Sequence, residues 1–455
     1  MKSARIADWR PEEAAFWNET GRRVARRNLW LSIPALLLAF SVWMVWSVVV
    51  VKLKSIGFRF TEQQEFWLTA LPALTGATLR IVYSLTVPIF GGRNWTVLST
   101  ASLLLPVIGI GMAVQNPATP YGVFVGLALL CGLGGANFAS SMANINPFFP
   151  KAQKGTALGL NAGLGNLGVS FMQFLVPAAI GVSLFGGLGG APQTYVAGGV
   201  TKSLWLQNAG LVWIPMILVV TVAAFFGMNN LDVARASFRD QAVIFGRKHN
   251  RIMCWLYLGT FGSFIGYSAA FPKLIKTIFT DVDPLRYAFL GPLVGALARP
   301  IGGWLADRLG GARVTFWNFL AMIAAVCGVI YFLRVHSFPG FFVMFLLLFV
   351  TTGVGNASTF KMIPVIFLNQ ALRGAASLAG GEDEARRNAT REASAILGFS
   401  SAIGAYGGFI IPIVFGNAIK SGQPQVALMQ FLAFYCTCMA LTWWFYQRRG
   451  AEAPC

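Results

Sequence analysis

The chain has 455 residues, of which 56% are hydrophobic and 11% charged, with 50 glycines, 38 phenylalanines and a net charge of +19; its mean hydropathy is +0.63. So little charge excludes a water-soluble domain of this size and points to a membrane-embedded protein. The excess of cations reads as topology and contact with anionic lipid; a nucleic-acid partner is not expected.

The first 27 residues are charged and read as a cytoplasmic N-terminal segment, residues 1–27. No cleavable signal peptide is expected, because the first apolar run is too long for an h-region and reads as a membrane anchor. Twelve spans are predicted, each able to cross about 30 Å of hydrocarbon. They lie at 28–51, 64–90, 95–114, 120–147, 155–183, 205–227, 251–277, 285–306, 313–334, 340–367, 393–419 and 425–447. Trp30, Trp67, Trp95, Trp205, Trp443 and Trp444 fall near the span ends, where amphipathic rings favour the headgroup zone. A charged stretch with Asp232, Arg235, Arg239, Asp240, Arg247 and Lys248 divides the spans six and six. The expected organisation is an all-α membrane protein with an N-terminal six-helix bundle at 28–228, a cytoplasmic linker at 229–250, a C-terminal bundle at 251–447 and a cytoplasmic tail at 448–455.

With the N-terminus in the cytoplasm, 23 Lys and Arg residues fall on the cytoplasmic side and nine on the other, so both termini are expected in the cytoplasm. With cations near span ends counted to the nearer side, among them Lys273 and Lys276, three remain inside spans: Arg80, Arg299 and Lys361. A guanidinium stays charged at physiological pH and costs about 2.5 kcal/mol or more at mid-bilayer unless something compensates it. The 16 acidic residues all fall in tails, linker, loops or helix ends, with Glu62 and Glu65 at the start of the second span and Asp307 at a cytoplasmic helix end. His249 and His336 are predicted in loops. Nothing anionic is thus placed to neutralise Arg80 or Arg299, and the pair calls for an anion from outside. Nor is an Asp, Glu or His placed to carry a proton through the membrane. A cavity with two uncompensated guanidinium charges is costly to close empty, which points to exchange.

The two halves repeat each other. Pro72 precedes Gly76-Ala77-x-x-Arg80 and then Gly91-Gly92; Pro292 precedes Gly295-Ala296-x-x-Arg299 and then Gly310-Gly311. A duplicated six-helix unit sets the two arginines across a pseudo-symmetry axis near the midplane, where carriers of this construction hold substrate. The fourth and tenth spans correspond through Gly134-Gly135-Ala136-Asn137-Phe138 and Gly353-Val354-Gly355-Asn356. In the fifth span, Gly155, Gly159 and Gly163 at four-residue spacing make a smooth face for close helix packing, continued by Asn166, whose amide can donate to an anion. The six cysteines form no CxxC pair and read as small apolar residues. No cofactor or metal site is expected.

Several segments resemble the NarK-type nitrate/nitrite porters of the major facilitator superfamily. They are Asp8-Trp9-Arg10-Pro11, Arg27-Asn28-Leu29-Trp30, Pro88 to Arg93, Gly135 to Met142, the fifth-span glycine motif and Thr260 to Gly266. The resemblance runs nearly end to end; the two glycine-rich segments are similar to that family's nitrate signatures, whereas Asp307-Arg308-x-Gly-Gly marks only the superfamily. It implies the major facilitator fold and a nitrate/nitrite antiporter working by alternating access, the anion held between Arg80 and Arg299. It also implies enclosing rings from Phe138, Tyr257 and Phe360, a signature asparagine at Asn166 and signature glycines at Gly155 and Gly163. Two positions depart from the pattern: Ala162 stands where glycine is typical, and Lys361 where glutamine is. Lys361 is read either as positive potential near the pathway or as a snorkelling side chain.

The chemistry suits a planar monovalent oxyanion, since a guanidinium fork offers paired donors to two coplanar oxygens. Phosphate or sulfate would surrender far more hydration. The expected setting is the bacterial inner membrane, with nitrate, nitrite and the lipid bilayer as partners and the chain acting as a monomer. A proton-coupled nitrate symporter of the same fold is the alternative, and a non-transporting anion sensor a further one. A membrane enzyme is disfavoured by the lack of any nucleophile-base or metal-ligand cluster within the spans.

Overall fold

In hydrocarbon every backbone N–H and C=O must be satisfied within the chain, and apolar runs meet that demand as helices. The computed structural model describes residues 5–197, 200–232, 246–375 and 382–455. Arg235, Arg239 and Asp240 of the predicted linker lie outside the described residues, as do the side chains of Glu382, Asp383 and Glu384. The first span is Arg22–Met44 continued by Trp46–Leu53, the second Glu62–Phe90, the third Gly92–Ala101 with Leu104–Ala113, the fourth Tyr121–Ile145, the fifth Lys151–Ala179 and the sixth Asn208–Leu211 with Trp213–Gly227. The seventh runs from Lys248–Tyr257 through a π-helical turn, Leu258–Gly262, into Ser263–Ile278. The eighth is Leu290–Leu309, the ninth Gly311–Arg334, the tenth Phe338–Ala375, the eleventh Glu382–Ala405 with Gly407–Lys420 and the twelfth Pro424–Thr442. Among the described residues eleven helices are long and apolar enough to cross a membrane. The seventh forms where predicted but is more polar, with Thr260, Ser263, Ser268 and Lys273 buried in it.

Two short pairings lie outside the all-α expectation: β1 (Arg5–Ile6) runs parallel to β4 (Asn230–Leu231), and β2 (Gln193–Ala197) pairs antiparallel with β3 (Val200–Leu204) between the fifth and sixth helices. The chain divides into two compact units, Met1–Ala236 with Ser268–Phe289, and Ser237–Tyr267 with Leu290–Cys455.

In the first unit the N-terminal segment is docked. Trp9, Trp17, Phe148 and Phe149 form a buried apolar cluster, and Trp9 Nε1 donates to the Pro147 carbonyl at 3.1 Å. Arg5 pairs with Asp232 at 2.6 Å, and Arg27 Nη2 donates to Asn229 Oδ1 at 2.6 Å. The second helix starts with a capping box: Gln64 N–H donates to Thr61 Oγ1 at 3.2 Å and Thr61 N–H to Gln64 Oε1 at 2.9 Å.

The repeated Gly-Gly pairs make the same turn in each unit. Gly91 sits at φ +85° and Gly310 at φ +90°, where a side chain is strained. The glycine after each has no room for a methyl group, which would strike Asn144 Oδ1 at Gly92 and Met362 Cγ, 2.7 Å away, at Gly311. The helix starts that follow are capped from far along the chain. Arg93 and Asn94 N–H donate to Asn230 Oδ1 at 2.9 and 3.3 Å, and Ala312 N–H donates to the Cys455 carbonyl at 3.1 Å. In each unit, then, the segment after the last helix returns to close the start of that unit's third.

The second unit corrects one expectation. His249 lies in the first turn of the seventh helix rather than in a loop, and is 2% exposed. Its Nδ1 is 3.0 Å from Tyr446 Oη and its Nε2 3.2 Å from Glu452 Oε1. Partners supplied by the C-terminal segment make this burial tolerable.

Candidate functional site

Arg80 is carried by the second helix and is 1% exposed. Its Nε donates to the Gly135 carbonyl of the fourth helix at 2.8 Å. The guanidinium carbon lies 4.9 Å from the Phe138 ring centroid and 5.3 Å from that of Trp43, so aromatic faces cover the charge. The helices come this close because glycine faces glycine: a methyl group on Gly132 would lie 2.7 Å from the Gly76 nitrogen.

In the second unit Arg299 occupies the corresponding place on the eighth helix. It is half-buried, its Cζ lies 5.9 Å from the Phe360 ring, and its Nη1 is buried with no hydrogen-bond partner among the described residues. Tyr257 is fully buried, stacked on Phe261 at 5.4 Å and 6.3 Å from Phe360. Arg299, Phe360 and Tyr257 thus form one cluster, as Arg80 and Phe138 do in the first unit. Such a guanidinium offers charge-assisted donors in a place poor in water, the arrangement an anion satisfies best.

Asn166, Gly155 and Gly163 stand together on the fifth helix. Asn166 is 1% exposed and its Oδ1 has no hydrogen-bond partner among the described residues; the same holds for Oδ1 of Asn137 and Asn356 in the fourth and tenth helices. The glycine stripe departs from its expected packing role. Among the described residues a methyl group on Gly155, Gly159 or Gly163 would meet nothing within 4 Å, whereas one on Gly165 or Gly168 would collide with Leu36 or the Leu37 backbone of the first helix. At 100° per residue the packing pair lies on another face, so the stripe takes no part in that packing.

Lys361 has an acidic partner within reach. It forms an ion pair with Asp307, and its Nζ also donates to the Gly303 carbonyl at 2.9 Å. This ties the tenth helix to the end of the eighth.

Sequence reasoning missed a buried charge cluster in the first unit. Glu65 is fully buried within the apolar helix Glu62–Phe90 and pairs with Lys273, itself 3% exposed. Lys273 also pairs with Glu62 at 2.6 Å, Lys54 pairs with Glu62 and lies 3.8 Å from Glu65, and Thr277 Oγ1 donates to Glu62 Oε2 at 3.1 Å. The expectation that no acid is buried in the membrane is therefore corrected, although Glu65 lies about 22 Å along the helix from Arg80 at 1.5 Å per residue. The available signal was Lys273 and Thr277 one turn apart in an apolar stretch. All six cysteines are free, with Cys131, Cys254 and Cys438 buried.

Helical bundles built to one repeated plan, each with a guanidinium under an aromatic ring, define a membrane carrier of the major facilitator class. Residues 31–381 match the Major Facilitator Superfamily. The fold is similar to that of a bacterial homolog of the human lysosomal transporter Spinster, with a TM-score of 0.64 at 14% identity, covering 93% of this chain and 96% of that one.

The sequence likeness is narrower. The chain is 50% identical to the nitrate/nitrite transporter NarU of Escherichia coli (strain K12) over 98% of its own length and 96% of that protein's. It is 42% identical, over the full length of both, to a Thermus thermophilus protein named "Probable nitrate/nitrite antiporter NarK2". The chain belongs to the NarK-type nitrate/nitrite porter family of the major facilitator superfamily. That is a family of carriers, not enzymes.

Proposed function

We propose that the chain exchanges nitrate for nitrite across a bacterial inner membrane by alternating access, acting as a monomer with both termini in the cytoplasm. Arg80 and Arg299 supply the donors that bind the anion. Phe138 and Phe360 lie over those guanidinium groups and, with Tyr257, form the walls, while Asn166 and the glycines Gly155 and Gly163 provide an amide and room on the fifth helix.

The observation that carries this reading is the buried Nη1 of Arg299 without a partner among the described residues. A buried donor left unmade costs about 1–3 kcal/mol, more when charged, and a planar oxyanion removes that cost. Conformational change is then cheaper with the anion aboard than without it, which favours exchange over one-way transport. Glu65 keeps proton-coupled uptake as a second reading, being a fully buried carboxylate; its pairing with Lys273 weighs against it as a proton carrier.

The test is flux of labelled nitrate into proteoliposomes with and without internal nitrite, across imposed pH gradients. Uptake is expected to need internal anion; uptake that needs a pH gradient and ignores internal nitrite would overturn exchange. Arg80→Lys and Arg299→Lys are each expected to lose most transport, at least about tenfold, while folding survives, because lysine keeps the charge but not the planar fork. Near-parental flux in either variant removes that arginine from the site.

A further inference from the structure

We propose that Trp43 is the positioning residue of Arg80, holding its guanidinium in one orientation before the anion arrives; this rests on Arg80 being an anion-binding group. Trp43 is fully buried on the first helix. Its Nε1 donates to the Pro72 carbonyl at 2.9 Å, two turns before Arg80 on the same helix. Its indole fills a slot that only glycines leave open: a methyl group on Gly76 would lie 2.9 Å from Nε1, and one on Gly135 would overlap the ring. Gly135 is also the residue whose carbonyl accepts from Arg80 Nε. Trp43 therefore touches both the helix that carries the arginine and the residue that anchors it, and its ring lies 5.3 Å from the guanidinium carbon.

Phe40 completes the support. Its ring meets Trp43 edge-on at 5.3 Å and Phe138 at 6.2 Å, and Phe138 is the second ring over Arg80. A side chain held by a backbone acceptor and two rings loses little freedom when an anion binds, so its binding is not weakened by ordering.

The repeat supplies an internal control. Gly295 stands where Gly76 does, but the ring against it is Phe264, 2.9 Å from an added methyl group, and phenylalanine has no N–H to donate. Register of the fourth and tenth helices puts Val354 in place of Gly135. Arg299 is correspondingly only half-buried, where Arg80 is 1% exposed. The two arginines thus differ in their support: Arg80 has an anchored indole and a backbone acceptor beside it, and Arg299 has no tryptophan in the corresponding place.

The experiment measures nitrate/nitrite exchange by the full chain in proteoliposomes. Trp43→Phe is expected to raise the KM for nitrate about tenfold, with turnover at saturation within about twofold of the parent, because positioning is lost while the exchange step is kept. Phe40→Leu is expected to raise KM about threefold in the same manner and decides the matter if Trp43→Phe does not fold. Phe264→Leu is expected to leave KM unchanged. The proposal is overturned if folded Trp43→Phe or, in its absence, folded Phe40→Leu has the parental KM, or if turnover falls while KM does not move. Should Arg80→Lys transport normally, the underlying reading has failed; if Arg80→Lys is inactive while KM stays parental in Trp43→Phe, only the positioning role has.

Discussion

Replacing Lys273 with methionine keeps the volume of the side chain and removes its charge from the buried cluster. Glu65, fully buried, then has Lys54 as its nearest described cation at 3.8 Å, and that lysine is half-exposed. Breaking a buried pair by removing one partner costs about 3–5 kcal/mol, and the exposed lysine returns about 1 kcal/mol at most. The net loss is about 2–4 kcal/mol, which for a unit of this size lowers the thermal midpoint by about 4–8 °C at roughly 2 °C per kcal/mol. The assay is thermal unfolding of the purified chain in detergent, followed by loss of the monodisperse peak. Adding Glu65→Gln removes the stranded charge, so the double variant is expected to recover most of the loss. A Lys273→Met midpoint within about 1 °C of the parent, or a double variant no better than the single, would refute the reasoning.

Gly92→Ala drives a methyl group into the Asn144 carboxamide, and overpacking of this kind costs about 1–3 kcal/mol; less folded protein and a lower midpoint are expected, with Gly122→Ala, which meets nothing within 4 Å, as the silent control. Acidification is expected to destabilise the second unit. Burial holds the His249 imidazole below its usual 6.5 despite the nearby Glu452, so the folded chain binds fewer protons than the unfolded one, and stability falls as pH drops below about 6.5. Glu452, held below its usual 4.5 chiefly by the hydrogen bond from Lys248, contributes stability above that value and loses it only at lower pH. His249→Gln should flatten the decline between pH 7 and 5.5; an unchanged slope would remove His249 as its cause.

Features set by local spacing were legible in the sequence. The Gly-Ala-x-x-Arg frames and the Gly-Gly turns are contained within about 17 residues, and both turns take the positive φ that glycine permits. What joins distant segments was not legible. Trp43 and Gly135 approach Arg80 from the first and fourth helices, and no periodicity shows which of 14 tryptophans does so. Lys361 counts as an uncompensated cation by position, yet the tenth helix sets it one side chain away from Asp307. Lys273 counts as an outer-face cation for the same reason, because a tally of charges by segment cannot register a partner on another helix. The glycine stripe misled differently: four-residue spacing defines a face but not what covers it.

The bonds that join residues 5–28 to residues 229–232 also fix an order of events during synthesis. Arg5 with Asp232, Arg27 with Asn229, and β1 with β4 need nothing beyond residue 232. Their partners have all been translated before the seventh span exists. A ribosome-bound chain ending near residue 260 therefore already carries what it needs to fasten the two ends of its first six helices, leaving only Ser268–Phe289 to be added to that unit later.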